Sequence, residues 1–517
     1  MLIQFIFFTV SLFLTFLFFV YGFNLYYLLS TSRKYRVPPL PPDIPEYRPR
    51  VAIHLPIYNE KYVIGRLVDA CIRMAETYDR NKVYITIIDD SDDDTLQVVD
   101  RIVQDYSKKD FQIEALRRTK RQGFKAGALQ LALERSEADY IAVFDADFIP
   151  PADFLTRTIP YFSQDDKVGI IQGRWGHINR DYNFLTRAIA IGIDVHFLIE
   201  QAGRYATGSF QNFNGSGGVL RRKAMLEAGG WQADTLAEDL DISYRIQLHG
   251  YRILFLSNVE SPGEIPPTVP SFKKQQGRWA NGSLRTARKI LPSLLVNRDF
   301  SINQRLEAFI HLTGYLIHPL MFFSFLLACL STIFHVASFR ILRVDIQMII
   351  SGNPEAVKAG FGYALHNLTW ILLTLMILLC TVAAWISPMI VLKTQKLPIW
   401  RNMGNLIILF LLGCGVSLSN TIEAGKALLS NQSWAFRRTP KYALQHDKER
   451  WQTKKYQVPL DFMWALELIL VSLGIFSIAD AIWRVNYDML VILIPYTIAY
   501  AFVVVLTAWQ SQSGARA

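Results

Sequence analysis

Cysteine is scarce in this chain: Cys71, Cys329, Cys380 and Cys414 are the four among 517 residues. They are scattered, and three lie inside apolar runs, so no disulfide framework and no metal or redox spacing is available. No Gly-x-x-x-x-Gly-Lys-Ser/Thr run occurs, which removes the phosphate-binding loop that would drive a transporter. Internal repeats and low-complexity tracts are also missing. The N-terminal apolar run has neither the basic start nor the small-residue cleavage site of a secretory signal. Lys and Arg outnumber Asp and Glu by 54 to 44, a net charge of +10, yet no basic stripe carries a nucleic-acid recognition motif. Most of the excess flanks membrane-length segments.

Apolar residues make up 51% of the chain and concentrate at its two ends. Residues 2–29 are long enough to cross a hydrocarbon core of roughly 30 Å. Arg33, Lys34 and Arg36 follow at once and place that flank in the cytosol, with Met1 on the far side. The segment Pro38-Pro39-Leu40-Pro41-Pro42 is a stiff spacer. The boundaries expected are a transmembrane helix at 1–30, a proline-rich linker at 31–49, a globular domain at 50–300 and membrane and interface helices at 301–517. Further spans are expected near 307–336, 366–392, 462–483 and 490–509. The run 406–418 is too short for the roughly 20 residues of a spanning helix. It precedes a basic loop containing Arg437, Arg438, Lys441, Lys448 and Arg450, which belongs in the cytosol. Residues 404–430 are therefore read as a re-entrant piece leading into an interfacial amphipathic helix, with six full spans as the open alternative.

Between the apolar ends, strands alternate with helices. Strands are expected at 51–55, 83–88, 112–116 and 140–144, and helices at 61–74, 95–106 and 125–135. That alternation implies a mostly parallel sheet covered on both faces, with ligands beyond the C-terminal strand ends. Each acidic cluster falls at such an end: Asn59-Glu60, Asp89-Asp90 and Asp145-Ala146-Asp147.

Asp145 and Asp147 lie two apart at the tip of an extended segment, so both carboxylates share a direction. Such a pair suits Mg²⁺ or Mn²⁺ whose shell is completed by diphosphate oxygens; a solvated turn is the plainer account. Asp93 and Asp94 neutralise a helix start, while Asp89 and Asp90, opposite Tyr58 and Glu60, are placed to meet a base or ribose. Thr235 and Glu238 match a capping box, which leaves Asp239 without a capping task and makes it the candidate base for an attacking hydroxyl. In Gln275-Gln276-Gly277-Arg278-Trp279, Gln275 shares a helical face with Arg278 and Trp279. Arg can pair with a leaving diphosphate and Trp can face a sugar ring, or the two can anchor the chain at a lipid interface. His311, Tyr315 and His318 share a face of a span, either lining a conduit or bonding neighbouring helices.

These blocks together resemble the processive family 2 glycosyltransferases, and most of all plant cellulose-synthase-like mannan and glucan synthases of the A and C groups. The matching stretches are Pro56-Ile57-Tyr58-Asn59-Glu60, Asp89-Asp90-Ser91, Gly123 to Leu129 around Lys125, Phe144 to Phe148, Phe213-Asn214-Gly215, Glu238-Asp239 and the Gln-Gln-x-Arg-Trp run. The resemblance implies an α/β GT-A (Rossmann-like) cytosolic domain joined to an α-helical transmembrane bundle in a multi-pass protein of a plasma, inner or Golgi membrane. It implies inverting transfer from a nucleotide-diphospho-sugar, UDP-glucose or GDP-mannose, to a growing polysaccharide. Asp145 and Asp147 would hold Mg²⁺ or Mn²⁺, and Asp239 with Glu238 would be catalytic. Tyr58, Glu60, Asp89, Asp90, Lys125, Asp145, Gln275, Arg278, Thr439 and Lys441 would bind the donor; Trp279, Phe213 and Asn214 would meet the acceptor. Phe436, Thr439 and Lys441 are similar to a gating-loop motif, within 431–460, although Arg438 replaces its Val and Ala237 replaces the Thr of Thr-Glu-Asp. The chain ends soon after its last span, so the C-terminal cyclic-dinucleotide domain of bacterial cellulose synthases is not expected. The rival is a non-processive enzyme that loads one sugar onto a lipid acceptor.

Overall fold

The computed structural model describes residues 2–41, 47–334, 354–430, 441–444, 451–454, 458–484 and 489–515. By internal contacts the chain divides into two compact units, one of residues 1–27, 316–421 and 460–509, the other of 28–315, 422–459 and 510–517.

The second unit is built on a seven-stranded sheet in the order β3-β2-β1-β4-β6-β5-β7. Its strands are β1 (Val51–Ile57), β2 (Val83–Asp89), β3 (Ile113–Leu116), β4 (Tyr140–Val143), β5 (Val168–His177), β6 (Gly218–Arg221) and β7 (Arg252–Gly263). The first four are parallel, as the sequence pattern predicts. β6 runs antiparallel to both β4 and β5, so the sheet is mixed. β5, β6 and β7 are not among the strands read from periodicity: β5 is interrupted by Gly169, Gly173 and Gly176, and β6 is short and lies directly before a helix.

Alternation along the strands builds two cores. Val51, Ile53, Leu55 and Ile57 face one side with Val83, Ile85 and Ile87, where helices Ile64–Tyr78 (α1) and Thr95–Ser107 (α2) cover them. Ala52, Ile88, Ile141 and Val143 face the other, against Leu129 and Leu133 of Phe124–Arg135 (α3) and Ile242 and Ile246 of Glu238–Leu248 (α4). Both faces are apolar, so the polar side chains that follow β1, β2 and β4 are left to crowd at the strand ends. Chain order reverses between β1 and β4, and it is there that such sheets open a crevice.

The helix Val269–Val296 (α5) follows β7; Thr268 caps it by accepting from the Ser271 amide at 3.4 Å. Within this unit, Asn281 donates to the Glu423 carbonyl at 3.2 Å and Arg288 to the Ala427 carbonyl at 2.8 Å, tying α5 to the segment that carries Glu423.

Among the described residues five helices are long and apolar enough to cross a membrane: Thr9–Ser32, Ile302–Ile333, Leu375–Thr394, Phe462–Trp483 and Leu490–Ser511. Ile399–Gly415 and Ser417–Leu429 meet at a 42° bend, the geometry of a broken span or a re-entrant pair, and would make a sixth. Helix–helix bonding accounts for part of the polar face expected at 311–318: the Tyr244 hydroxyl and His311 Nδ1 are 2.7 Å apart, and Tyr315 donates to Gln276 at 3.2 Å.

Candidate active site

A cavity opens at the strand ends of the second unit. Tyr58, Glu60, Asp90, Lys125, Asp145, Asp147, Asn214, Glu238, Asp239, Gln275, Arg278, Trp279 and Lys441 all line it. Residues almost 400 positions apart, from Tyr58 to Lys441, thus meet at one place.

Asp145 and Asp147 follow the end of β4, but not as an extended pair. The strand stops at Val143, and the Phe148 amide bonds the Asp145 carbonyl at 3.0 Å, so the carboxylates project from a turn. Ser216 helps fix the turn by accepting from the Asp145 amide at 3.1 Å. Lys125 Nζ lies 2.8 Å from Asp145, and Lys441 pairs with Asp147. Burial resists ionisation of Asp145, yet Lys125 and Lys441 outweigh it and hold the carboxyl below its ordinary range. Burial likewise opposes charge on Lys125, but Asp145, Glu238 and Asp239 raise its pKa overall.

Lys125 also meets Glu238 at 3.1 Å and the Gly215 carbonyl at 3.4 Å. This replaces the capping box expected of Glu238. α4 begins at Glu238 with Ala237 as its uncapped N-cap, and the Thr235 hydroxyl turns instead to the Gly282 carbonyl and the Thr286 hydroxyl, each at 3.1 Å. A buried ammonium is a stronger partner for a carboxylate than a helix-end amide. The Asp239 carboxylate accepts from the Leu240 amide at 2.8 Å. Burial, and then the neighbouring Glu238 charge, push its pKa up to about 7 despite the pull of Lys125. A carboxylate at that value can accept a proton near neutrality.

Across the cavity, Arg121 stacks 3.4 Å above the Tyr58 ring centroid while the Tyr58 hydroxyl donates to Asp92 at 3.0 Å. Asp90 is held by Arg118, whose Nε donates to it at 2.9 Å. On α5, Gln275, Arg278 and Trp279 face the same cavity, and the Arg278 charge contributes to lowering the Asp145 pKa.

Two of the expected site residues, Asp89 and Phe213, do not line the cavity. Asp89, the last residue of β2, has a fully buried side chain that accepts from the Ser91 amide at 3.0 Å and from Arg117 at 3.3 Å. Phe213 is fully buried in the second core beside Trp231 and packed against Gly218, so it supports the loop rather than touching an acceptor. Thr439, with Phe436, lies outside the described residues. Asp93 accepts from the Thr95 amide at 2.9 Å as a helix-start residue should, while Asp94 pairs with Lys61.

The sequence pattern did not single out Arg121, Trp175, His177 or Glu264, which also line the cavity. Trp175 donates to the Ser216 carbonyl at 3.0 Å and His177 meets Asp194 at 3.0 Å. They sit on the unrecognised β5; Val168–Gln172, an apolar run ahead of Arg174-Trp175, was the available signal.

Among the described residues no three His, Cys, Asp or Glu side chains converge into a closed cage. Two carboxylates that each already hold an ammonium and line one cavity fit Mg²⁺ or Mn²⁺ carried with a diphosphate, whose oxygens would complete the shell.

The family described as Glycosyl transferase family group 2 matches residues 140–387. Glucomannan 4-beta-mannosyltransferase 1 of Oryza sativa subsp. japonica is 34% identical over 355 residues, 65% of this chain and 68% of that protein. The probable glucomannan 4-beta-mannosyltransferase 4 of the same organism is 35% identical over 263 residues, 50% of this chain and 48% of that one. Glucomannan 4-beta-mannosyltransferase 9 of Arabidopsis thaliana is 34% identical over 278 residues, 52% of each. The chain thus spans about half the length of several curated relatives that it matches. Among solved structures, the mannosyltransferase PcManGT from Pyrobaculum calidifontis, in complex with GDP-Man and Mn2+, is 20% identical with a TM-score of 0.49, covering 72% of this chain and 98% of that one.

Proposed function

This chain belongs to the family 2 glycosyltransferases, and from that membership we propose that it is a membrane-embedded, processive, inverting β-glycosyltransferase. It transfers a hexose from a nucleotide-diphospho-sugar to the end of a growing β-mannan or β-glucan. The named relatives are glucomannan 4-beta-mannosyltransferases, which makes a mannosyl donor such as GDP-mannose the first to test and UDP-glucose the second. The observation that carries the reading is one cavity holding both a carboxylate with its pKa at about 7 and a carboxylate pair neutralised by lysines.

Asp239 takes the proton of the acceptor hydroxyl as its oxygen attacks the anomeric carbon. The bond from that carbon to the diphosphate oxygen breaks on the opposite face, so configuration inverts and the electron pair leaves with the diphosphate. Arg278 and Lys125 stand where that negative charge collects, and fixed cations there are worth most in the transition state. Trp279 offers its face to the acceptor sugar, and Asn214 lines the same cavity. Asn214 is itself oriented, accepting from Asn212 at 2.8 Å, with His196 Nε2 at 2.9 Å from its Oδ1 and its amide bonded to Gln172 at 2.9 Å. A Mg²⁺ or Mn²⁺ ion bound by Asp145 and Asp147 would offset charge on the departing diphosphate. Tyr58, Asp90 and Glu60 form the wall that takes the nucleotide.

The catalytic unit faces the cytosol, where nucleotide sugars are available, and the product is translocated across the membrane. Membranes containing the protein, incubated in parallel with labelled GDP-mannose and UDP-glucose, will yield a ladder of β-linked oligosaccharides from one of them, degraded by the matching linkage-specific hydrolase. A single glycolipid product rejects processivity.

A further inference from the structure

Glu264 lies just beyond β7 with a side chain only 3% exposed, and it gathers partners from two distant segments. Arg66 Nη2 reaches Oε2 at 3.0 Å, the Tyr442 amide donates to Oε1 at 2.9 Å and the Ala443 amide to Oε2 at 3.0 Å. Two successive amides can converge on one carboxylate only where the backbone curls into a concave anion cradle. Ala443 supplies the curl with a φ of 57°, a left-handed value that residues with a Cβ avoid. Strain of this kind persists where the surroundings over-determine it. Tyr442 and Leu444 are buried to 1% and 0% exposure and pack with Trp451 and Tyr182.

One residue before this cradle, Lys441 pairs with Asp147. The same Arg66 nitrogen that meets Glu264 also approaches the Asp147 carbonyl at 3.4 Å. Glu264 is thus connected to both partners of the ion pair: to Lys441 through the backbone beside it, and to Asp147 through Arg66. A flexible lysine stem needs its backbone pinned before its ammonium has a fixed address.

We propose that Glu264 is a positioning residue, and that by cradling the Tyr442 and Ala443 amides it holds Lys441 on Asp147 as an internal counter-ion which a divalent cation must displace. The proposal rests on the reading of Asp145 and Asp147 as cation ligands. It makes cation affinity a balance between metal and lysine, set from a residue that touches neither reacting sugar.

The test is calorimetric titration of Mn²⁺ alone into the full-length chain in lipid nanodiscs, without nucleotide. Lys441→Met removes the competing ammonium and tightens Mn²⁺ binding by about tenfold, the scale of one charge-assisted hydrogen bond. Glu264→Ala tightens it in the same direction because Lys441 is no longer held, and the double variant binds no more tightly than Lys441→Met alone. Glu264→Gln, which keeps the shape and one acceptor for the cradle, gives an intermediate value and carries the test if the alanine variant does not fold. Tightening by Lys441→Met with both Glu264 variants at the wild-type value overturns the proposal, as does weaker binding in any of the three. Asp147→Asn separates the two levels. If it leaves Mn²⁺ affinity unchanged, the cation reading itself fails; if it abolishes binding while Glu264 changes do nothing, only the positioning role fails.

Discussion

Asp239 Oδ2 stands 2.7 Å from the point where a side chain at Gly215 would place its Cβ. Position 215 also has a φ of +76°, so it is glycine for two reasons at once: backbone conformation and the closeness of the candidate base. A methyl group there must push the carboxylate, because the other nearby atoms belong to Lys125 and to Asp239 itself. Gly215→Ala is therefore expected to lower kcat by about 100-fold or more, on the scale of a displaced acid–base group. The left-handed backbone adds a stability cost of about 1 kcal/mol. Steady-state kinetics beside a thermal unfolding curve distinguish the two effects. Near-wild-type turnover in a folded variant would show that the Asp239 position is not critical.

The raised pKa of Asp239 fixes the sign of a pH response. Only the ionised carboxylate accepts a proton, so kcat rises with pH through about 7 and levels off above it. Asp239→Asn removes the limb with the activity, by about 10²–10⁴ in rate, while donor binding stays close to wild type. Lys125 favours the charged form of Asp239, so Lys125→Met moves the limb to higher pH in whatever activity survives. A rate profile flat from pH 5.5 to 8.5 would exclude a base of this kind.

How much of this was legible beforehand follows from where the signals lie. β1, β2, β3 and β4 end within two residues of their expected limits because buried parallel strands are short apolar runs. The acidic residues after them were visible for the same reason: a carboxylate breaks such a run and marks its end, although Asp89 shows that it can still turn inward. β5 and β6 gave no comparable pattern, and with them went Trp175 and His177. Asp89 and Phe213 were placed in the site because they neighbour residues that line it. In a strand or a tight loop, though, adjacent side chains point to opposite sides, and both entered the interior. The Glu264 cradle could not be read at all, since two backbone amides about 180 positions away leave no trace in residue type.

The corrected position of Phe213 makes a contrast with Trp279. Truncating a fully buried aromatic in a close-packed core costs about 3–5 kcal/mol, so Phe213→Ala shows its effect in the unfolding transition. Trp279 is only partly buried and faces the cavity, so Trp279→Ala shows its effect in acceptor use: elongation of an added oligosaccharide falls while the unfolding midpoint moves little. Reversal of this pattern, with Phe213→Ala stable and defective in elongation, would return Phe213 to the acceptor.

Asp145 is the ligand whose loss best isolates the cation, because its side chain meets Lys125 and the cavity rather than the core. In the wild-type chain, GDP-mannose or UDP-glucose should bind more tightly with Mn²⁺ than without, as the ion joins diphosphate oxygens to both carboxylates. Asp145→Asn keeps the volume but removes the charge, leaving Asp147 to hold the ion alone. Even supporting residues around metal sites cost about 10–100-fold in affinity, so the Mn²⁺-dependent gain should shrink at least that much. Binding without Mn²⁺ should not weaken in parallel, because Lys125, released from Asp145, becomes more available to the diphosphate. The two arms therefore move apart, and calorimetry with and without Mn²⁺ reads the difference directly. If both arms weaken equally, Asp145 serves the nucleotide sugar without the ion; if neither moves, it serves only to hold Lys125.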